Sequence, residues 1–290
     1  MRLHNTATER TYRYVRLSIA GAVVLLAVAL VVVVVADGPI GSVSAAFYTP
    51  AHDVFVGSIF AVAIALVALT GDSVEQVLLD YMAIAAPVIA IVPPPIAAGE
   101  IAGVTCPETD PCIPASYLPG IATGTASLVV IAVIALVTAL VVTIVQGRLD
   151  RSRGLALAIA AALVVAVAAW AGLAPDSYLR GAHVTAASVF FGLIVVVAGL
   201  SAIRAYRVCR TRRGGHVYRA LYTVVAAGVA AAVLFLLAVI ALTLAGVDAV
   251  VESPAPLVFI GEAVALALFV VFWTAQTIQT WDQDAAATPA

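Results

Sequence analysis

The sequence predicts an all-α, polytopic transmembrane bundle of eight helical spans with both termini in the cytoplasm. Three observations carry that reading. The chain is 64% hydrophobic and only 10% charged, with a mean hydropathy of +1.14, whereas a soluble domain is about half apolar and about a quarter charged. Its apolar residues are gathered into runs long enough to cross a bilayer core, which needs about 20 residues per helix. Its arginines fall almost entirely into alternate loops, as the positive-inside rule requires.

The N-terminal segment 1–16 is basic and polar, MRLHNTATERTYRYVR, and leads into an apolar run over 17–36. That run exceeds the apolar stretch of about 7–15 residues typical of a secretory signal, so it reads as a retained first span. Further spans are expected at 53–70, 79–97, 121–146, 155–174, 183–203, 219–246 and 257–277. Residues 17–277 thus form one transmembrane domain, and 278–290 form a short polar cytoplasmic tail expected to be disordered. The third span is the least regular. Pro87 should kink it, and Pro93, Pro94 and Pro95 should end it before the core is fully crossed.

Orientation follows from charge. Arg2, Arg10, Arg13 and Arg16 precede the first span; Arg148, Arg151 and Arg153 follow the fourth; Arg204, Arg207, Arg210, Arg212, Arg213 and Arg219 follow the sixth. Only Arg180 falls on the other side, and the chain has no lysine. The arginine side is therefore cytoplasmic and the membrane a plasma membrane. Tyr12, Tyr14, Tyr206, Tyr218, Trp273 and Trp281 mark the inner interface, and Tyr48, Tyr117, Trp170 and Tyr178 the outer one. Cys106 and Cys112 lie in the outer loop between spans three and four, where an oxidising compartment favours a disulfide; Cys209 lies in a reducing one. Metal binding by the pair with Glu108 and Asp110 is the alternative, and the spacing is a poor match to zinc sites. Membrane lipids are the expected partners. The basic loop 204–219 suits anionic headgroups, and nothing points to nucleic acid.

Ionisable residues at membrane depth are functional candidates. Asp53 opens span two, His183 opens span six, and Glu262 lies about 7–8 Å into span eight at 1.5 Å per residue, so three helices place three such groups in one outer depth band. Ser44, Tyr48 and His52 hang above the band, and Ser188 lies below His183. Ser44, Tyr48, Asp53, His183, Ser188 and Glu262 are accordingly the expected ligand-binding set. Asp53, His183 and Glu262 are the candidates for acid–base catalysis or for holding a metal such as zinc. Each has a plainer role as well: Asp53 as the N-cap of span two, His183 as an interfacial residue, Glu262 in an ion pair with Arg180 or a hydrogen bond to a neighbouring helix, and Ser42 and Ser44 as turn residues beside Gly38, Pro39 and Gly41.

The run Ser42-Val43-Ser44, Tyr48-Thr49 and Asp53-Val54-Phe55-Val56-Gly57 resembles the start of an uncharacterised bacterial family of multi-span membrane proteins. The stretch from Gly71 to Pro93, His183 with Ala187, Phe190 and Phe191, and Glu262 with Phe272 and Trp273 are similar to later pieces of that family. His52 stands where the family pattern has arginine, and 121–174 resembles a hairpin added to a six-span plan. The resemblance implies no established activity. A more remote likeness is to the ceramidase and progestin-receptor-like membrane hydrolases, which arrange Ser, Asp and His around zinc. Here the three-histidine set is incomplete, since His4 and His216 fall on the cytoplasmic side. The expected function is binding of a lipid or small amphiphile in an outer-facing polar pocket. Hydrolysis of a lipid-like substrate is the alternative, and proton-coupled transport with Glu262 as the carrier is a third reading.

Overall fold

A computed structural model of the 290-residue chain describes residues 6–69, 71, 73–107, 111–209, 215–247 and 256–285. Eight α-helices stand among them: α1 (Thr6–Asp37), α2 (His52–Ala68), α3 (Val74–Ile91), α4 (Leu118–Val145), α5 (Arg151–Leu173), α6 (Pro175–Cys209), α7 (Gly215–Leu244) and α8 (Leu257–Ala285). A short 3₁₀ turn, η1, spans Ser44–Tyr48. Seven of the eight helices are long and apolar enough to cross a membrane, while α2, with 17 residues, falls just short. The protein is therefore a multi-pass helical membrane protein. Glu108, Asp110, Arg2, His4, Arg210, Arg212 and Arg213 lie outside the described residues.

Helix α1 shows the bundle one stripe and leaves the rest apolar for lipid, whereas α3 is buried on all sides over residues 85–90. In α1, Ile19, Val23, Leu26, Leu30 and Val33 are buried, at the three- and four-residue spacing of one helical face. Val24, Leu25, Val28, Val31, Val32 and Val35 face outward. The helix stops at Gly38, whose φ of 99° suits glycine and whose N–H bonds back to the Val34 carbonyl at 3.2 Å. Helix α3 starts at a reciprocal cap, Ser73 Oγ accepting from the Gln76 amide and Gln76 Oε1 from the Ser73 amide. It runs unbroken through Pro87 and ends at Ile91, shorter than the expected 79–97 at its far end because Pro93–Pro95 supply no amide hydrogens.

Consecutive helices alternate in direction, so two ends can be told apart. At the disulfide end sit the C-terminal ends of α1 and α3, the N-terminal ends of α2, α4, α6 and α8, and the loop 93–117. There Cys106 and Cys112 are bonded, with Cα atoms 5.7 Å apart, and Ile96 and Cys112 exchange backbone hydrogen bonds of 3.0 and 2.9 Å. At the arginine end, Arg204 of α6 pairs with Glu75 of α3 at 3.0 Å. Gln276 of α8 donates to Ser201 of α6 at 3.1 Å, and Tyr222 of α7 donates to Gln279 at 2.6 Å. Between the two ends the bundle is filled by Phe190, Ile194, Phe269, Phe272 and Trp273.

The α4–α5 hairpin stands at the edge of this body. Along 28 residues α4 buries only Ile121 and Thr125, and α5 buries only Ala160 and Val164. A body of α1–α3 and α6–α8 remains when the hairpin is set aside.

A buried clasp and a neighbouring cleft at the disulfide end

The segment between α1 and α2 is a loop, yet Ser42 through Tyr48 are all buried. Buried loop backbone needs partners, and the sequence around η1 supplies them. Ser42 Oγ accepts from the Ala45 amide at 2.9 Å, Gly41 O accepts from the Phe259 amide at 3.1 Å, and Glu262 Oε2 accepts from the Ser44 amide at 3.2 Å. Glu262 reaches η1 because it lies in the second turn of α8, directly after Gly261. A Cβ at position 261 would approach Leu236 Cδ2 to 2.6 Å, so glycine there lets α8 lie close against α7.

Ser44 is the centre of the arrangement. Its Oγ is 2.8 Å from Glu262 Oε1 and 2.9 Å from His183 Nε2. The other ring nitrogen, His183 Nδ1, donates to the Val92 carbonyl at 2.8 Å. That carbonyl is open to an outside donor because the prolines after it end the helix, and Ile96, whose N–H would otherwise reach it, bonds Cys112 instead. Pro94 is served in the same way: Tyr48 donates its hydroxyl to the Pro94 carbonyl at 2.9 Å. Burial, with smaller contributions from Tyr117 and Glu100, pushes the Tyr48 phenol well above its ordinary value, so it acts as a donor at any physiological pH. Glu262, Ser44, His183 and the α3 terminus thus form one chain across α8, η1, α6 and α3.

Asp53 does not join them. It is exposed in the first turn of α2, on the stripe of Gly57, Ala61, Ile64 and Ala68, whereas Phe55, Ser58, Val62 and Leu66 face the bundle. Nor is it the N-cap, a position held by Ala51 with no side-chain bond; Asp53 instead sits one residue inside the helix, where its charge complements the helix dipole. Ser188 is half-buried five residues beyond His183 and makes none of these bonds. The ion pair expected between Glu262 and Arg180 is replaced by the bonds to Ser44, and Arg180 is exposed. His183 commits both nitrogens and Glu262 both oxygens to protein partners. Among the described residues no three His, Cys, Asp or Glu side chains converge as a metal site would require.

Beside the clasp lies a cleft of about 350 Å³, lined by Phe47, Thr49, His52 and Val56, by Ala90 and Ile91 of α3, and by Ser116, Tyr117, Gly120, Ile121 and Gly124 at the start of α4. Its polar groups, Thr49, His52, Ser116 and Tyr117, come from segments at the helix ends, and its apolar wall comes from the helices themselves. Comparison with family models, curated proteins and solved structures finds no match for this chain. His52 Nδ1 lies 2.6 Å from the Phe47 carbonyl, which can only accept, so Nδ1 carries hydrogen and Nε2 is left for a ligand. Phe47 and Tyr48 pack against Tyr117 with ring centroids 5.6 and 5.1 Å apart, tying η1 to the rim of α4.

Sequence reasoning ranked His52 low and did not single out Phe47, Gly120 or Gly124 in this setting. The available signal was the Gly-x-x-x-Gly spacing on α4, which keeps one face of that helix free of side chains. Gly120 has no heavy atom within 4 Å of where a Cβ would stand, whereas a Cβ at Gly124 would meet Ile91 Cγ2 at 2.8 Å.

Proposed function

We propose that the protein binds a lipid or small amphiphile in this cleft, with the disulfide end on the extracytoplasmic face of a cell membrane and both termini in the cytoplasm. The observation that carries the reading is the division of the cleft wall. Thr49, His52, Ser116 and Tyr117 offer polar groups to a headgroup, and Val56, Ala90, Ile91 and Ile121 offer an apolar wall to an alkyl chain. Orientation is supported by the disulfide at one end and by the arginines gathered at the other.

The test is photo-crosslinking of the purified, lipid-reconstituted protein with a diazirine-bearing phospholipid, comparing wild type with Gly120→Leu. Position 120 has room for a side chain, so the variant keeps its fold while the added leucine fills the cleft. Crosslinks to α3 and α4 peptides around 90–91 and 116–124 should fall severalfold in the variant. Equal crosslinking in both proteins rejects the cleft as the site.

A second reading, hydrolysis of a lipid-like substrate, rests on one distance. Ser44 Oγ and His183 Nε2 are 2.9 Å apart, the spacing of an activated hydroxyl and its base. An alkyl fluorophosphonate that labels Ser44, with loss of label in His183→Gln, supports it; failure of Ser44 to label removes it.

A further inference from the structure

The hydrogen bonds of the buried clasp can be counted proton by proton. The Val92 carbonyl only accepts, so His183 Nδ1 carries a hydrogen. Two contacts remain, Nε2 to Ser44 Oγ at 2.9 Å and Ser44 Oγ to Glu262 Oε1 at 2.8 Å. The serine hydroxyl owns one hydrogen and serves one of them. If it donates to Glu262, the other contact needs a hydrogen on Nε2, making an imidazolium beside a carboxylate. If it donates to Nε2, Glu262 must be a carboxylic acid donating to Oγ. Both arrangements contain the same number of protons, one more than a neutral imidazole plus a carboxylate, and both carry no net charge. Moving one proton from Glu262 to Oγ and another from Oγ to Nε2 converts the second into the first. Without the extra proton the clasp would hold a net negative charge and set two lone pairs against each other at hydrogen-bond distance, in a buried site.

We propose that Glu262, Ser44 and His183 together form a proton-binding site, and that the bound proton latches η1 onto α6 and α8. Among the described residues no other ionised side chain supplies the missing charge: the Val92 and Ile89 carbonyls meet His183, and Ser44 and the backbone at Val43 and Ser44 meet Glu262. From the following loop Glu100 is turned to the Ala97 amide at 2.9 Å, from η1 Tyr48 is turned to Pro94, His52 to Phe47, and from α6 and α1 Arg180 and Asp37 are exposed. The latch matters because η1 carries Phe47 and leads into Thr49 and His52, all of which line the cleft. Building on the cleft reading, proton loss should release that wall and weaken amphiphile capture.

Infrared difference spectroscopy of the full chain in lipid nanodiscs, with ¹⁵N NMR of the histidine rings, reads the proton directly. A protonated-carboxyl band that disappears in Glu262→Gln, or an imidazolium signature that disappears in His183→Gln, is expected near neutral pH. Finding Glu262 ionised and His183 neutral while the 44–49 amides stay protected overturns the proposal. Amide exchange in that segment supplies the latch readout. Once corrected for intrinsic rates, it should rise about tenfold in wild type as the proton is removed at higher pH, about the loss of one buried hydrogen bond. It should stay flat in Glu262→Gln, whose side-chain NH₂ donates to Ser44 Oγ without an added proton. Exchange that ignores the proton overturns the latch. Crosslinking that fails while the band persists counts against the cleft alone.

Discussion

Replacing Ser44 with alanine removes one oxygen and two hydrogen bonds, those of 2.8 Å to Glu262 and 2.9 Å to His183. The Cβ remains, so little packing is lost, and the cost lies in what is left behind. Glu262 Oε1 and His183 Nε2 then stay buried without a partner, and each such group costs about 1–3 kcal/mol in protein interiors. Hydrogen bonds between transmembrane helices average a smaller ~0.6 kcal/mol, which lowers the total. An expected loss of about 2–4 kcal/mol follows from these bounds. It should show in two measurements, denaturant unfolding in bicelles and amide exchange over residues 44–49. The same substitution in a Glu262→Ala background should cost less, because one of the stranded groups is already gone. A Ser44→Ala protein within about 0.5 kcal/mol of wild type, the usual range for surface changes, would refute the clasp as an energetic unit.

Three further outcomes are expected. Gly261→Val should destabilise the α7–α8 contact by about 1–3 kcal/mol through overpacking against Leu236 and Phe235, read by thermal unfolding in detergent, whereas Gly120→Leu should not. Cys106→Ala with Cys112→Ala should cost about 2 kcal/mol from the short closed loop, and reductant should lower the unfolding temperature of wild type but not of the double variant. At Asp150, the Arg153 amide at 2.8 Å and the Ser152 hydroxyl hold the carboxyl below its ordinary range. Its capping of α5 is thus complete above the unfolded carboxylate pKa and is lost as pH falls through the lower folded value. Exchange at the Arg153 amide should rise on acidification and become pH-independent, after intrinsic correction, in Asp150→Ala.

The eight helices among the described residues were legible in the sequence, since a helix that crosses a bilayer must announce itself as an apolar run and seven of them are long enough to do so. Their ends were less so. Helix α1 reaches back to Thr6 and α6 on to Cys209, since helices continue past the apolar window with polar residues that hydropathy alone excludes. Depth along a helix singled out His183 and Glu262, but depth says nothing about direction around the axis, and Asp53 shares their level while facing away. The pairing of Ser44 with His183 and Glu262 joins positions 139 and 218 residues apart, which no local pattern encodes. At the arginine end, Ser201, Gln276 and Gln279 passed unnoticed because they are neutral. Arg204 was read as part of the basic loop and not as the partner of Glu75 that joins α6 to α3.

The position of α4 governs how a ligand would arrive. One wall of the cleft is the first two turns of a helix whose remaining length touches little protein and is clothed in Val, Ile and Leu. On the proposed reading, an amphiphile approaching that wall would travel within the leaflet and enter sideways, without leaving the bilayer for water. Occupancy then tracks the mole fraction of the ligand in the lipid rather than its aqueous concentration. Titrations at different lipid-to-protein ratios should superimpose when plotted against surface density and spread apart when plotted against molarity.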